Sequence, residues 1–264
     1  MKRICWTVLG GLVYVIGAAD AANADLTNTR PIGDATSLSA LQGVFDHLHD
    51  PTGASPLPGP GIDAVLDQSE FGLFESTASG GSVATFIIEL AAFKETNVFG
   101  LFSLSDPSNK AEIFSGSDTA GAQALVSFLD NGDIKVNGDL MATGFGDVFG
   151  FYIDVYEADG DSSTLDYTLY TLDMLNMGGV AQALLYQGDD TTELKLPDLS
   201  PGIFTDDEWI VAFEDGRVDL GGSDENYTDL VVMVESIIPV PAPGAAGLAM
   251  VGFGMIGWIR RRTS

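Results

Sequence analysis

The stretch Val148-Phe149-Gly150-Phe151-Tyr152-Ile153-Asp154-Val155-Tyr156 decides the fold class. Phe149, Phe151, Ile153 and Val155 alternate with Gly150, Tyr152, Asp154 and Tyr156, a period of two that suits a half-buried strand and not a helix. Shorter runs of the same kind lie upstream: Val83 to Ala91, Val98 to Leu104, and Ala111 to Phe114 after the turn Ser105 to Lys110. Ala122 to Leu129 and Asp133 to Val136 flank Asp130-Asn131-Gly132, whose Asn-Gly pair signals a hairpin. Downstream, Tyr167 to Leu172, Ala181 to Gln187, Glu193 to Leu196, Trp209 to Glu214 and Leu230 to Ile237 continue the series. Short strands without long helices between them predict an all-β fold, an antiparallel β-sandwich of jelly-roll-like form over residues 80–239. No repeat of solenoid or propeller length stands out.

Residues 25–79 read differently, as a helical and loop segment on or beside the sandwich. Leu41, Phe45 and Leu48 recur at helical spacing, so Ser37 to His49 is expected as a short amphipathic helix. Pro51 to Gly61 is rich in Pro and Gly and excludes helix and inner strand, and Ile62 to Gln68 offers a second short helix.

The chain has 264 residues, 45% of them hydrophobic, which supplies a core and argues against intrinsic disorder. Lys and Arg number 11 against 38 Asp and Glu, a net charge of −27. Between residues 25 and 240 the only bases are Arg30, Lys94, Lys110, Lys135, Lys195 and Arg217. Non-specific nucleic-acid binding is excluded by that scarcity, and anionic polymers are repelled unless divalent cations bridge them.

The two ends read as addresses. Lys2 and Arg3, the apolar run Ile4 to Ala19 and the small-residue site Ala22-Asn23-Ala24 read as a Sec signal peptide over residues 1–24, the alternative being an uncleaved N-terminal membrane anchor. The only cysteine, Cys5, lies inside it, so disulfides, thiolate catalysis and Cys-ligated zinc are excluded from the mature chain. In residues 240–264, Val240-Pro241-Ala242-Pro243-Gly244 precedes the apolar stretch Ala245 to Ile259 and then Arg260-Arg261-Arg262. Physically this is a breaker, a marginal membrane segment and a basic stop. The order resembles the PEP-CTERM sorting signal of Gram-negative exopolysaccharide producers, with Ala242 where the family's signature has Glu. The resemblance implies Sec export, transient membrane insertion through this segment, processing by an exosortase, and a final place outside the cell or on its surface.

Acidic residues concentrate at the ends of two strong strands. Glu214 and Asp215 end one and Asp229 opens the next, with Gly221-Gly222 allowing a tight return between them. A hairpin brings these carboxylates together, which is costly unless a cation or protons offset the charge. Ca²⁺ takes six to eight oxygens in flexible geometry and suits such a loop. The alternative at this point is a solvated acidic hairpin.

Phrases across residues 80–237 are also similar to the domain-of-unknown-function family 4114. They are Gly80 to Thr85, Asn97 to Gly100, Ala120 to Gln123, Phe149 to Tyr152, Phe213-Glu214-Asp215, and Asp224 to Asp229. That resemblance implies a role for Glu214, Asp215, Asp224 and Asp229 in ion binding or enzymatic activity. Asn226 stands where the family commonly has Asp, which removes a charge and keeps a ligand oxygen. The expected metal set is therefore Glu214, Asp215, Asp224, Asn226 and Asp229, around Ca²⁺.

Other constellations are weaker. Asp159, Asp161 and Ser163 have the spacing of an EF-hand start, but Thr164 and Tyr170 stand where Gly and Glu are required. Asp206-Asp207-Glu208 reads as a solvated loop, and His47 and His49 face different ways on their helix. Trp209, Tyr152, Tyr156 and Tyr170 would make either a sugar platform or strand packing. No Ser-His-Asp order, P-loop or dinucleotide fingerprint is present. The sequence favours an exported calcium-binding sandwich with a structural or binding role in the envelope or exopolysaccharide matrix. The competing reading is a polysaccharide-active enzyme using two of these carboxylates.

Overall fold

Apolar runs too dense for a one-sided strand set the plan of the molecule. Trp209-Ile-Val-Ala-Phe213 and Leu230-Val-Val-Met-Val234 are buried at every position, so both faces of these strands are covered. The computed structural model describes residues 28–77, 83–91, 96–116, 118–156, 164–221 and 223–240. Within them, Asn28–Val240 form one compact unit. The expected signal peptide, the Asp159 to Ser163 constellation and the expected sorting signal beyond Val240 lie outside the described residues.

In chain order the elements are α1 (Ser39–His49), β1 (Phe74–Ser76), β2 (Val83–Ala91), β3 (Val98–Ser103), β4 (Lys110–Ser115), β5 (Gln123–Phe128), β6 (Ile134–Val136), β7 (Asp139–Ala142), β8 (Val148–Tyr156) and β9 (Leu165–Tyr170). They continue as β10 (Ala183–Gln187), β11 (Glu193–Leu194), β12 (Gly202–Ile203), β13 (Trp209–Phe213), β14 (Leu230–Val234) and β15 (Ile237–Pro239). Among the described residues, one sheet runs β15-β1-β8-β3-β4, with β9 also on β8. A second runs β10-β13-β14-β2-β5-β6-β7, and β11-β12 form a short ribbon. All pairings are antiparallel. The chain winds back and forth between the two large sheets, so the architecture is an all-β antiparallel sandwich.

The inward residues of β8, Phe149, Phe151, Ile153 and Val155, meet Trp209, Val211, Phe213, Val232 and Val234 of the other sheet in one core. Phe74 stands edge-on to Trp209 at 4.9 Å and Phe99 stacks on Phe151 at 5.7 Å. A second core lies on the opposite face of β10, β13 and β14. There Leu41, Phe45 and Leu48 of α1 pack with Leu184, Tyr186, Ile210, Ala212 and Val231. Phe45 meets Tyr186 edge-on at 4.7 Å. The N-terminal segment thus covers the sandwich, and β13 and β14 become fully buried, as does β10 up to its exposed last residue, Gln187.

The helix expected over Ile62 to Gln68 is a single turn instead. Asp63 caps it with its Oδ1 on the Val65 and Leu66 N–H groups, and the Gln68 amide ties it to Ile32. Of the aromatic candidates, Trp209 is fully buried in the core. Tyr152 lies under the Lys110 ammonium, which pairs with Asp154 at 2.6 Å. These rings pack the sheets.

Candidate metal centre

The last register pair of β13 and β14 is Phe213↔Leu230, so one step further Glu214 stands opposite Asp229. By strand alternation both follow Ile210, Ala212, Val231 and Met233 toward the helix-covered side. Asp215, next along, donates its backbone N–H to Asp229 Oδ2 at 2.8 Å. One ligand atom from each of Glu214, Asp215 and Asp229 lies within 4.8 Å of the others.

Glu214 is 2% exposed. Its Oε1 accepts the Gly216 N–H and its Oε2 the Tyr227 N–H, both at 3.3 Å. A Cβ on Gly216 would stand 3.1 Å from that Oε1, so a glycine lets the backbone fold against the carboxylate. Asp215 is held from the other sheet: Asn97 Nδ2 donates to its Oδ2 at 2.9 Å and the Tyr167 hydroxyl to its backbone oxygen at 3.0 Å. Asn97 Oδ1 in turn accepts the Tyr156 N–H. Gln182 spans the loop, donating to the Glu214 and Gly216 oxygens and accepting from Val218 N–H. Burial pushes the Asp229 carboxyl up to about 6; the Asp215 N–H opposes this and the charge of Glu214 adds to it.

The other two expected ligands, Asp224 and Asn226, lie in the loop that leads to Asp229. Glu225 and Tyr227 both take positive φ, at 54°. The chain therefore turns Tyr227 into the second core, where its hydroxyl reaches the Ala181 carbonyl at 3.2 Å. Asp224 is exposed and outside the carboxylate trio. The Asn226 amide donates to Asp224 Oδ2 at 2.6 Å, and its Oδ1 accepts the Thr228 N–H. The structure joins Glu214, Asp215 and Asp229, and it engages Asp224 and Asn226 with each other. Asn97, Gln182 and Tyr167 were not expected at the site: Asn97 entered the sequence reading only through the phrase Asn97 to Gly100, and Tyr167 only as a strand start. They carry no motif, and their role follows from strand order.

Two oxygens each bound to Ca²⁺ at about 2.3–2.6 Å can lie no more than about 5 Å apart, and the trio meets that limit. Hard carboxylate oxygens are the donors such an ion prefers. The nearby Arg217 is engaged with Asp219, at 2.9 Å from Nε to Oδ1. Comparison of the chain with protein-family models, curated proteins and solved structures returns no match.

Proposed function

We propose that the chain is an exported β-sandwich protein, stabilised by Ca²⁺ at Glu214, Asp215 and Asp229, with a structural or binding role in the cell envelope or exopolysaccharide matrix. The observation that carries the calcium reading is the trio itself: three carboxylates within 4.8 Å, one of them 2% exposed, anchored to both sheets. The ion would offset their mutual repulsion and fasten the β13–β14 end to Asn97 and Tyr167. Export rests on the Sec-type N-terminus, and sorting by an exosortase rests on the Pro-rich, apolar and Arg-ended C-terminus. The bacterium would be of Gram-negative type, and exopolysaccharide is the partner this destination offers. Carboxylates gathered around one point suit a cation better than glycoside hydrolysis, which places two of them about 5–9 Å apart across an open cleft.

The test is thermal unfolding of the full chain with and without millimolar Ca²⁺. At a Kd of about 10⁻⁴–10⁻³ M, the site should stabilise by about 0.5–1.5 kcal/mol. Asp229→Ala should abolish the shift, because it deletes a ligand and leaves Leu230–Val234 intact. A wild-type melting temperature indifferent to calcium overturns the metal reading.

A further inference from the structure

An open cleft of about 750 Å³ lies away from the acid trio, walled by residues 60–63, 67 and 69–71 on one side and by residues 187–189 and 192 with Phe204 on the other. That volume is within the ordinary range of small-ligand sites. Its walls are fastened to the fold. Ser69 N–H donates to the Leu185 oxygen of β10, and the Tyr186 hydroxyl to the Ala64 oxygen, each at 2.8 Å. Glu193 N–H donates to the Pro58 oxygen at 2.8 Å, and Phe204 N–H to the Thr192 oxygen at 2.7 Å. A Cβ on Gly59 would stand 2.4 Å from Thr192 Cα, so the two backbones touch there. A ligand would therefore enter a recess already formed, with little ordering cost.

The chemistry of the lining is one-sided. Ile62, Phe71 and Phe204 give it apolar surface, while Asp63, Asp67 and Glu70 stand exposed around it. Asp63 uses Oδ1 on the Val65 and Leu66 N–H groups, and Asp67 uses Oδ2 on the Asp63 N–H. Their second oxygens, and both oxygens of Glu70, hold no hydrogen bond among the described residues. Across the cleft, Asp189 has both oxygens engaged by Thr191 and Thr192. Among the described residues, no Lys, Arg or His lines the space. Anionic ligands are thereby refused, and a ligand rich in donors with a carbon body is favoured; a recess of one charge sign concentrates its counter-charge.

We propose that this cleft binds a protonated amine on a carbon skeleton, with the ammonium between Asp67 and Glu70 and the skeleton against Phe71 and Ile62. Polyamines and amino-sugar units of a polysaccharide share that chemistry. The proposal is independent of the calcium site.

The test is calorimetric titration of the full chain at about 0.15 M salt, where long-range surface attraction is screened. The probes are spermidine, a glucosamine oligomer and a neutral glucose oligomer. Wild type should bind at least one of the two amines. The double variant Asp67→Asn/Glu70→Gln should bind it at least about tenfold more weakly. The Asn side chain can still accept the Asp63 N–H, and an unchanged melting temperature establishes that the variant is folded. Asp139→Asn, an exposed carboxylate on β7 at the far end of the sheet from β10, should bind the amine as wild type does. Binding of spermidine alone assigns a free polyamine, and binding of the glucosamine oligomer alone or in addition assigns an aminated polysaccharide. Absence of binding by both amines overturns the proposal. So does equal affinity in the double variant, or a neutral oligomer that binds as tightly.

Discussion

The strand pair β13–β14 carries carboxylates at both ends, and the two ends handle them differently. At one end Glu214, Asp215 and Asp229 converge under N–H groups from Gly216, Tyr227 and Asp215 and the Asn97 amide. At the other, Glu208 precedes Trp209 and Glu235 follows Val234, so the register sets them opposite each other. Burial pushes Glu208 up to about 7; the Thr205 N–H opposes the shift, and the charges of Glu235 and Asp207 add to it. Among the described residues the metal-like grouping is confined to the 214/229 end. Equal charge density therefore does not make equal sites. Backbone donors that aim oxygens at one point favour a cation, whereas carboxylates facing each other without that framework favour a proton.

Removing Glu214 should show the difference most strongly. Glu214→Ala leaves the buried Tyr227 N–H and the half-buried Gly216 N–H without their acceptor and should cost about 2–4 kcal/mol in urea unfolding. Glu235→Ala, at the half-buried end, should cost far less; equal losses would erase the contrast.

The pH profile sharpens it next. With a folded value of about 7 against 4.5 for the unfolded chain, Glu208 keeps a proton in the native state that the unfolded chain releases. Stability from this group is thus fully present below about pH 4.5, falls as pH rises through about 7, and levels off above. Glu208→Gln should remove that slope, about 1–2 kcal/mol once solvent screening of a half-buried group is allowed for, and it keeps an acceptor for Thr205 N–H. Unfolding at pH 5 and pH 8 checks both parts.

Calcium separates the ends by a smaller amount. Glu235→Gln should retain the wild-type calcium shift of about 0.5–1.5 kcal/mol that Asp229→Ala loses. Smallest of all, Asp224→Ala should change stability by less than about 0.5 kcal/mol and leave most of the calcium shift in place, since Asp224 is exposed and its partner is the neighbouring half-buried Asn226. Loss of the shift in this variant would return Asp224 to the ligand set.

The legible parts of this chain are those where chemistry repeats at a fixed period. The alternation of Val148 to Tyr156 became β8, and Leu41, Phe45 and Leu48 became the buried stripe of α1. Glu214 and Asp229 were placed together because strand ends imply neighbours across a hairpin. The course of the loop through Asp224 and Asn226 was less legible, because Glu225 and Tyr227 take positive φ and neither residue type announces that conformation. Short pieces such as β1, β7, β12 and β15 were also illegible. Phe74–Ser76 has too few residues to display a period, and it becomes a strand because β8 and β15 flank it.

The two-sided burial of β13 and β14 has a consequence for the timing of order. Amide hydrogens in strands covered by both cores exchange with solvent only through the rarest and most extensive openings, whereas edge turns exchange through local fraying. Glu214 and Asp229 are continuous with these slowest-exchanging strands. Their positions are therefore inherited from global folding, and an arriving ion does not have to assemble them. What remains for the ion to organise is the exposed stretch at Asp224 and Glu225, so deuterium uptake should change there on calcium addition and remain unaltered along Trp209–Phe213.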